Sequence, residues 1–136
     1  MSNLSISADI AASGMKAQAK RLRVISENMA NADSVATGDG QKTYRRQVVT
    51  FENYVDKATG ANLVKVAQVK EDNSELPKKY APNHPGADAQ GYITTPNVNP
   101  LIEMMDMKEA QRTYEANLSM LQTSRSMSNK VLDILK

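Results

Sequence analysis

The stretch NPLIEMMDMKEAQRTYEANLSMLQTSRSMSNKVLDILK, residues 99–136, decides the fold. Asn99 is a good helix N-cap, Pro100 fits the first helical position, and no Gly or Pro follows it. Apolar residues then recur every three or four positions, which predicts one long C-terminal helix. They form two stripes instead of one. Because one neighbour covers only one stripe, we expect this helix to meet partners on more than one side.

These stripes supply the candidate subunit-interface residues of the C-terminal helix. The first stripe holds Met104, Met107, Tyr114, Leu118 and Leu121. The second holds Met120, Met127, Val131 and Ile134, with Leu135 widening the surface at the end, and all of these except Met120 are candidate interface residues.

A second helical pattern covers residues 5–32. Positions 8, 11, 15, 18, 22, 25, 29 and 32 alternate steps of three and four, and all but Gln18 are apolar, which is typical of a heptad seam. The candidate interface residues on this seam are Met15, Leu22, Ile25 and Met29. Gly14 lies in a patch of small residues, where another backbone could approach closely.

The middle of the chain has a different pattern. Residues 37–40 predict a turn, residues 44–54 and 63–69 predict two strands of a hairpin with its loop at 59–62, and residues 92–95 predict a further short strand. The five prolines all lie between 77 and 100, which indicates extended chain there. The sequence therefore predicts a mainly α fold with a small β part. Two long terminal helices (within segments 1–34 and 101–136) would pack as an antiparallel coiled coil, with a β-hairpin and Pro-rich loop between them (35–100).

Composition argues against several classes of function. Seventeen basic and fifteen acidic residues give a net charge of +2 with no dense basic block, so we expect no nucleic-acid partner. The chain has no Cys and one His, His84, which lies between prolines and is interpreted as a turn residue. We therefore expect no metal site, no cofactor and no catalytic residues, and hence no enzyme. No apolar stretch is long enough for a membrane span, and no cleaved signal peptide is predicted at the start.

Two basic groups leave alternatives open. The run Lys16, Lys20, Arg21 and Arg23 could lie on a membrane surface, although a solvated or partner-facing helix flank explains it as well. The run from Tyr44 to Arg46 could bind an acidic ligand, or could open a strand and contact neighbouring protein.

Several motifs resemble those of the bacterial flagellar rod, hook and hook-associated proteins. The first helix carries Ser13-Gly14-Met15 and a run from Asn28 to Ala32, and Tyr44-Arg45-Arg46 follows a glycine-bearing loop. Pro96-Asn97-Val98-Asn99-Pro100 and the run from Glu109 to Asn117 are similar to the rod members of this family. The turn after the first helix is longer than in most of the family, with its glycines at 38 and 40. The family-motif residues are Gly14, Asn28, Asn31, Tyr44, Arg45, Arg46, Pro96, Asn97, Asn99 and Asn117.

The resemblance implies a structural subunit of the proximal rod, the drive shaft of the flagellar basal body, which transmits motor torque. Its expected partners are other rod subunits, copies of itself, basal-body ring or export-gate components, and the flagellar type III export apparatus. Its expected location is the periplasmic rod. The alternatives are a helical adaptor or export chaperone in the cytoplasm, and a peripheral membrane protein that binds through the basic flank.

Overall fold

The computed structural model describes residues 3–38 and 40–136. Its elements in chain order are α1 (Asn3–Ala30), β1 (Gln47–Val55), β2 (Asn62–Glu71), β3 (Lys78–Tyr80), β4 (Tyr92–Thr94) and α2 (Pro100–Ile134). Met1 and Ser2 of the predicted segment 1–34, and Asp39 of the predicted turn 37–40, lie outside the described residues. The predicted class is confirmed, because two long helices pack together with a small antiparallel hairpin between them in the chain.

The N-terminus of α2 has the predicted cap. The Asn99 side-chain oxygen accepts a hydrogen bond from the Leu101 N–H at 3.0 Å, and the Asn99 carbonyl accepts one from the Glu103 N–H at 3.0 Å. The side chain thus satisfies a backbone donor that the helix itself cannot pair. The cap and the following proline explain why the helix begins at residue 100.

The hairpin strands β1 and β2 start and end at different residues from those predicted. We expected the first strand at 44–54, but β1 begins at Gln47, because the Arg46 N–H donates to the Asn97 side chain at 2.7 Å. The loop is closed by Asp56, whose carboxylate accepts from the Thr59 hydroxyl at 2.7 Å. Gly60 has a φ of 70°, a conformation that glycine adopts without strain.

A second, smaller sheet lies in the Pro-rich region. The predicted strand at 92–95 is β4, and it pairs antiparallel with β3, which the sequence did not predict. The pairing places Tyr80 opposite Tyr92, with the two rings edge to face at 5.3 Å, and buries Ile93. Three-residue strands carry too little hydrophobic pattern to be recognised, and the prolines on either side of β3 hide it further.

The chain packs as two compact units, and each unit includes part of both helices. The first contains the residues up to Arg23, Val49–Gln68 and those from Lys108 onward; the second contains Val24–Val48 and Val69–Met107. The buried apolar side chains of the first unit are those of Ala11, Ala17, Ala61 and Ala110, and those of the second are Val24, Ile25 and Ile93. Small side chains let backbones approach closely, and they leave the larger apolar residues of α2 at the surface.

Candidate functional site

The buried positions of α2 recur every seven residues. Glu103, Ala110 and Ser124 are buried, and Asn117 is half-buried between them. This spacing is that of one position of a heptad repeat, but its occupants are polar or small instead of the usual aliphatic residues. The packed face of α2 is therefore chemically unlike the two apolar stripes from which we predicted its contacts.

Within the first unit, α1 and α2 are close and antiparallel. A side chain at Gly14 would place its Cβ 2.7 Å from the Asn117 Nδ2 atom, so the amide of Asn117 would have to move to admit a larger residue. Further along α1, the Arg21 Nη2 atom lies 3.6 Å from the Glu109 Oε2 atom. Because the residue number rises on α1 while it falls on α2, the two helices run in opposite directions here. The sequence suggested a neighbouring backbone at Gly14, but the nearest atoms there belong to the side chain of Asn117, a second family-motif residue.

The predicted interface residues differ widely in burial. Ile25 is buried. Seven are half-buried: Met15, Leu22, Met29, Met107, Tyr114, Leu118 and Leu121. Five are exposed: Met104, Met127, Val131, Ile134 and Leu135. Three of the half-buried residues, Met15, Tyr114 and Leu121, line one small cavity of about 260 Å³ in the first unit.

An apolar surface remains open along the C-terminal part of α2. Met127 is 50% exposed and Val131 is 48% exposed, while Ile134 and Leu135 are 82% and 78% exposed. Met120 and Leu132 are exposed on the same helix. We refer to these six residues as the α2 apolar surface. An apolar area of this length on a small protein is typical of a surface that contacts another chain.

A polar cluster lies in the second unit, centred on the buried side chain of Asn28. Its amide nitrogen donates to the Gln47 carbonyl at 2.9 Å and to the Glu103 carboxylate at 3.4 Å. Its oxygen accepts from the Gln47 N–H at 2.9 Å and from the Tyr44 hydroxyl at 2.8 Å. The amide thus pairs with both backbone groups of Gln47, as a neighbouring strand would. This holds the start of β1 against the end of α1.

Arg46 and Glu103 form the charged part of the same cluster. Glu103 is fully buried, and one of its oxygens accepts a hydrogen bond from the Arg46 guanidinium. The guanidinium also lies 3.3 Å from the Asp106 carboxylate and 3.9 Å from that of Asp72. Burial alone would lower the pKa of Arg46, but the hydrogen bond and charge of Glu103, with the charges of Asp106 and Asp72, raise it. The Arg46 guanidinium therefore stays charged and is held by these three carboxylates.

Tyr44 responds to the same charges. Its burial, together with the negative charges of Glu27, Glu103 and Glu71, raises the pKa of its hydroxyl above the ordinary value. The neutral hydroxyl remains a donor to Asn28 at any physiological pH.

Asn97 ties the Pro-rich loop to this cluster. Its side chain accepts from the Arg46 N–H and donates to the Asp72 carbonyl at 3.0 Å and the Ser74 hydroxyl at 2.9 Å. Arg45 donates to the same segment, at the Ser74 carbonyl, at 2.9 Å. Both arginines of the predicted acidic-ligand motif thus already have partners within the chain, which favours the structural interpretation of that motif.

The structure brings four family-motif residues together: Asn28, Tyr44, Arg46 and Asn97. Gly14 and Asn117 meet in the first unit, Asn99 caps α2, Pro96 is buried, and Asn31 donates to the Glu27 carbonyl at 2.8 Å. Sequence reasoning missed Glu103 as a buried member of the polar cluster. The signal that could have indicated its burial is the seven-residue repeat that Glu103 begins and that Ala110, Asn117 and Ser124 continue.

The remaining candidates from the sequence are His84, a metal site, a membrane span and the basic run of α1. His84 accepts from the Gly86 N–H at 3.0 Å through its Nδ1 atom, which fits a turn residue. Within residues 3–38 and 40–136, no three His, Cys, Asp or Glu side chains come together in a metal-binding arrangement. Neither described helix is long and apolar enough to cross a bilayer. Lys16 and Lys20 of the basic run line an open groove of about 760 Å³ between α1 and the hairpin in the first unit.

Comparison with known proteins gives matches at both ends of the chain and along its whole length. Residues 9–36 match the family described as "Flagella basal body rod protein", and residues 89–134 match "Flagellar basal body rod FlgEFG protein C-terminal". A curated relative from Agrobacterium fabrum, a flagellar basal-body rod protein FlgC, is 43% identical over the full chain and 98% of its own length. FlgC proteins of Salmonella typhimurium and Borreliella burgdorferi are 47% and 38% identical, over 93% and 96% of both chains.

Proposed function

This chain belongs to the FlgC family of flagellar basal-body rod proteins, and on that premise we propose that it builds the proximal rod through the α2 apolar surface. It is a structural subunit of the basal-body rod. The adaptor or chaperone alternative is not favoured, because the matched families and relatives are named as rod proteins.

The observation that carries the proposal is the exposure of the α2 apolar surface. Met127 and Val131 lie three and seven residues after the buried Ser124, so they continue the packed side of α2 past the part that the subunit itself covers, and a further chain can cover them there. Burying the exposed part of Met127, Val131, Ile134 and Leu135 would contribute about 1–2 kcal/mol for each side chain. Several such contacts per subunit are enough to hold a shaft whose subunits must not slip under torque.

The partners and the route belong to the same proposal. We expect the α2 apolar surface to contact other rod subunits and copies of this chain, with basal-body ring or export-gate components at the ends of the rod. Delivery by the flagellar type III export apparatus and a position in the periplasmic rod are parts of the proposal that the family membership supports. The role is mechanical, without catalysis.

A charge on the α2 apolar surface tests the proposal. Val131→Asp should leave the subunit folded, because the side chain is half exposed, but it should abolish swimming in a strain that lacks the wild-type gene, since assembly would bury the carboxylate. Gln122→Asp, at an exposed polar position on the same helix, is the matched control and should swim. Wild-type swimming by Val131→Asp would show that this surface is not a contact between subunits. Leu121→Asp is a weaker test, because Leu121 is half-buried within the subunit.

A further inference from the structure

The backbone groups of β1 alternate between two directions. The Asp56 N–H, just after the strand, donates to the Ala61 carbonyl on the β2 side at 2.9 Å, so even-numbered residues point their backbone groups toward β2. Gln47 is odd-numbered, and both its backbone groups pair with Asn28 on the outer side. Since successive residues of a strand alternate, the outward backbone groups belong to Gln47, Val49, Phe51, Asn53 and Val55.

The outer edge of β1 is open beyond Val49. Among the residues that the structure describes, β2 is the only strand that pairs with β1, and residues 50–55 are all exposed. The outer edge of β2 differs, because its Val64 N–H donates to the Ser13 hydroxyl of α1 at 3.3 Å. The exposed part of β1 carries large side chains, those of Phe51, Tyr54 and Val55.

The exposed part of this edge lacks lysine and proline, two features that keep edge strands from pairing. The nine residues of β1 contain no Lys, no Pro and one charge, Glu52. Even that charge is paired across the hairpin, with the Lys65 ammonium 2.9 Å from its carboxylate. Soluble proteins usually protect a long free edge with lysine, proline or a bulge, because its unpaired N–H and C=O groups are a template for another strand. An unprotected edge in a subunit built for assembly indicates a surface that becomes covered.

We propose that the outer edge of β1, from Phe51 to Val55, binds an extended segment of a neighbouring rod subunit as an added strand. The inference rests on the proposed function, because it names a second contact for the same assembly. Main-chain hydrogen bonds from Phe51, Asn53 and Val55 would hold the segment, as Asn28 already holds Gln47 on the same edge.

The edge also defines the chemistry of its partner. The added segment has no proline at its inward-facing positions, because it must donate N–H groups to β1. It carries aliphatic or aromatic side chains beside Phe51 and Val55. It has no carboxylate opposite Glu52, where a neutral or basic residue avoids repulsion between like charges.

Asn53→Pro tests the inference, with Asn53→Thr as the matched control. The Asn53 N–H points away from β2, so proline removes a donor needed only by the added strand and leaves the β1–β2 pairing in place. In a strain that lacks the wild-type gene, Asn53→Thr should swim like wild type. Asn53→Pro should reduce the swimming ring to that of the deletion strain, with an unchanged melting temperature of the purified subunit.

A second variant covers the case in which proline unfolds the hairpin. Phe51→Lys adds an edge-protecting lysine at an exposed site, and it should also stop swimming without lowering the melting temperature. Normal swimming by Phe51→Lys, or by a folded Asn53→Pro, overturns the inference. If the deletion strain itself swims normally, the proposed function fails first, so the two failures are distinguishable.

Site-specific photo-cross-linking identifies the occupant. A benzophenone amino acid at position 53 should cross-link, in isolated basal bodies, to a different rod subunit through an extended segment. A product with a ring or export component alone, or no product in basal bodies that contain the labelled subunit, contradicts the inference.

Discussion

Replacing Glu103 by alanine removes the buried carboxylate at the centre of the polar cluster in the second unit. The guanidinium of Arg46 then loses its hydrogen-bonded partner, and Asn28 loses one of the two acceptors of its amide nitrogen. Removing one partner of a buried ion pair usually costs about 3–5 kcal/mol, because the other charge is left uncompensated. Here the Arg46 side chain is 23% exposed and keeps Asp106 and Asp72 nearby, so we expect about 2–4 kcal/mol.

Glutamine at the same position separates charge from shape. Glu103→Gln keeps the volume and an oxygen that can accept from Arg46, and it removes only the negative charge. We expect it to cost about 1–2 kcal/mol, less than alanine, because hydrogen bonds to a charged acceptor are stronger than those to a neutral one. Glu115→Gln, at an exposed position on the same helix, is the matched control and should stay within about 0.5 kcal/mol of wild type.

Urea unfolding of the purified subunit, followed by far-ultraviolet circular dichroism, measures these differences. The midpoint should fall in the order wild type, Glu103→Gln, Glu103→Ala, with an unchanged slope. A double-mutant cycle with Arg46→Met should give a coupling energy above about 1 kcal/mol between Arg46 and Glu103. If Glu103→Ala unfolds at the same urea concentration as the Glu115→Gln control, the cluster does not stabilise the fold and our reasoning about it is wrong.

Three further outcomes follow from local geometry. Gly86→Ala should cost about 1–3 kcal/mol in a urea titration, because the new Cβ would lie 2.1 Å from the Ala36 carbonyl oxygen, a backbone atom; unchanged stability would contradict that contact. Hydrogen bonding from the Tyr92 N–H, above all, lowers the pKa of Asp88. The stability that this carboxylate contributes is therefore present above about pH 4 and is lost as the pH falls through the folded-state pKa. In urea titrations between pH 5 and pH 2, the unfolding midpoint of Asp88→Asn should fall less steeply than that of wild type. An equally steep fall in both proteins would show that Asp88 does not contribute this stability. His84→Ala should leave swimming-ring diameter unchanged, and loss of motility would show a role beyond the turn.

The helices and the hairpin could be predicted from the sequence because their signals are local. Asn99 and Pro100 mark the start of α2, the seam through Met15 and Ile25 marks α1, and a glycine-bearing loop separates two β-rich runs. Each of these depends on residues only a few positions apart. The start of β1 was predicted less accurately, because the Arg46 N–H donates to the side chain of Asn97, which is distant in the sequence.

The polar cluster could not be predicted from the sequence in the same way. Asn28, Arg46 and Glu103 are brought together from α1, the segment before β1, and α2, and no spacing in one element reveals that meeting. Glu103 near a helix start is explained equally well by the helix dipole. Ala17 and Val24 were also missed, because they lie off the heptad seam and are buried by a second set of contacts.

Electron microscopy of basal bodies from a strain with the gene cleanly deleted measures whether this chain builds the rod. We expect the membrane-embedded ring to remain while rod, hook and filament are absent, and we expect wild-type complementation to restore all three. Normal rods and filaments in the deletion strain, with no second copy of the gene, would contradict the claim that this chain builds the rod.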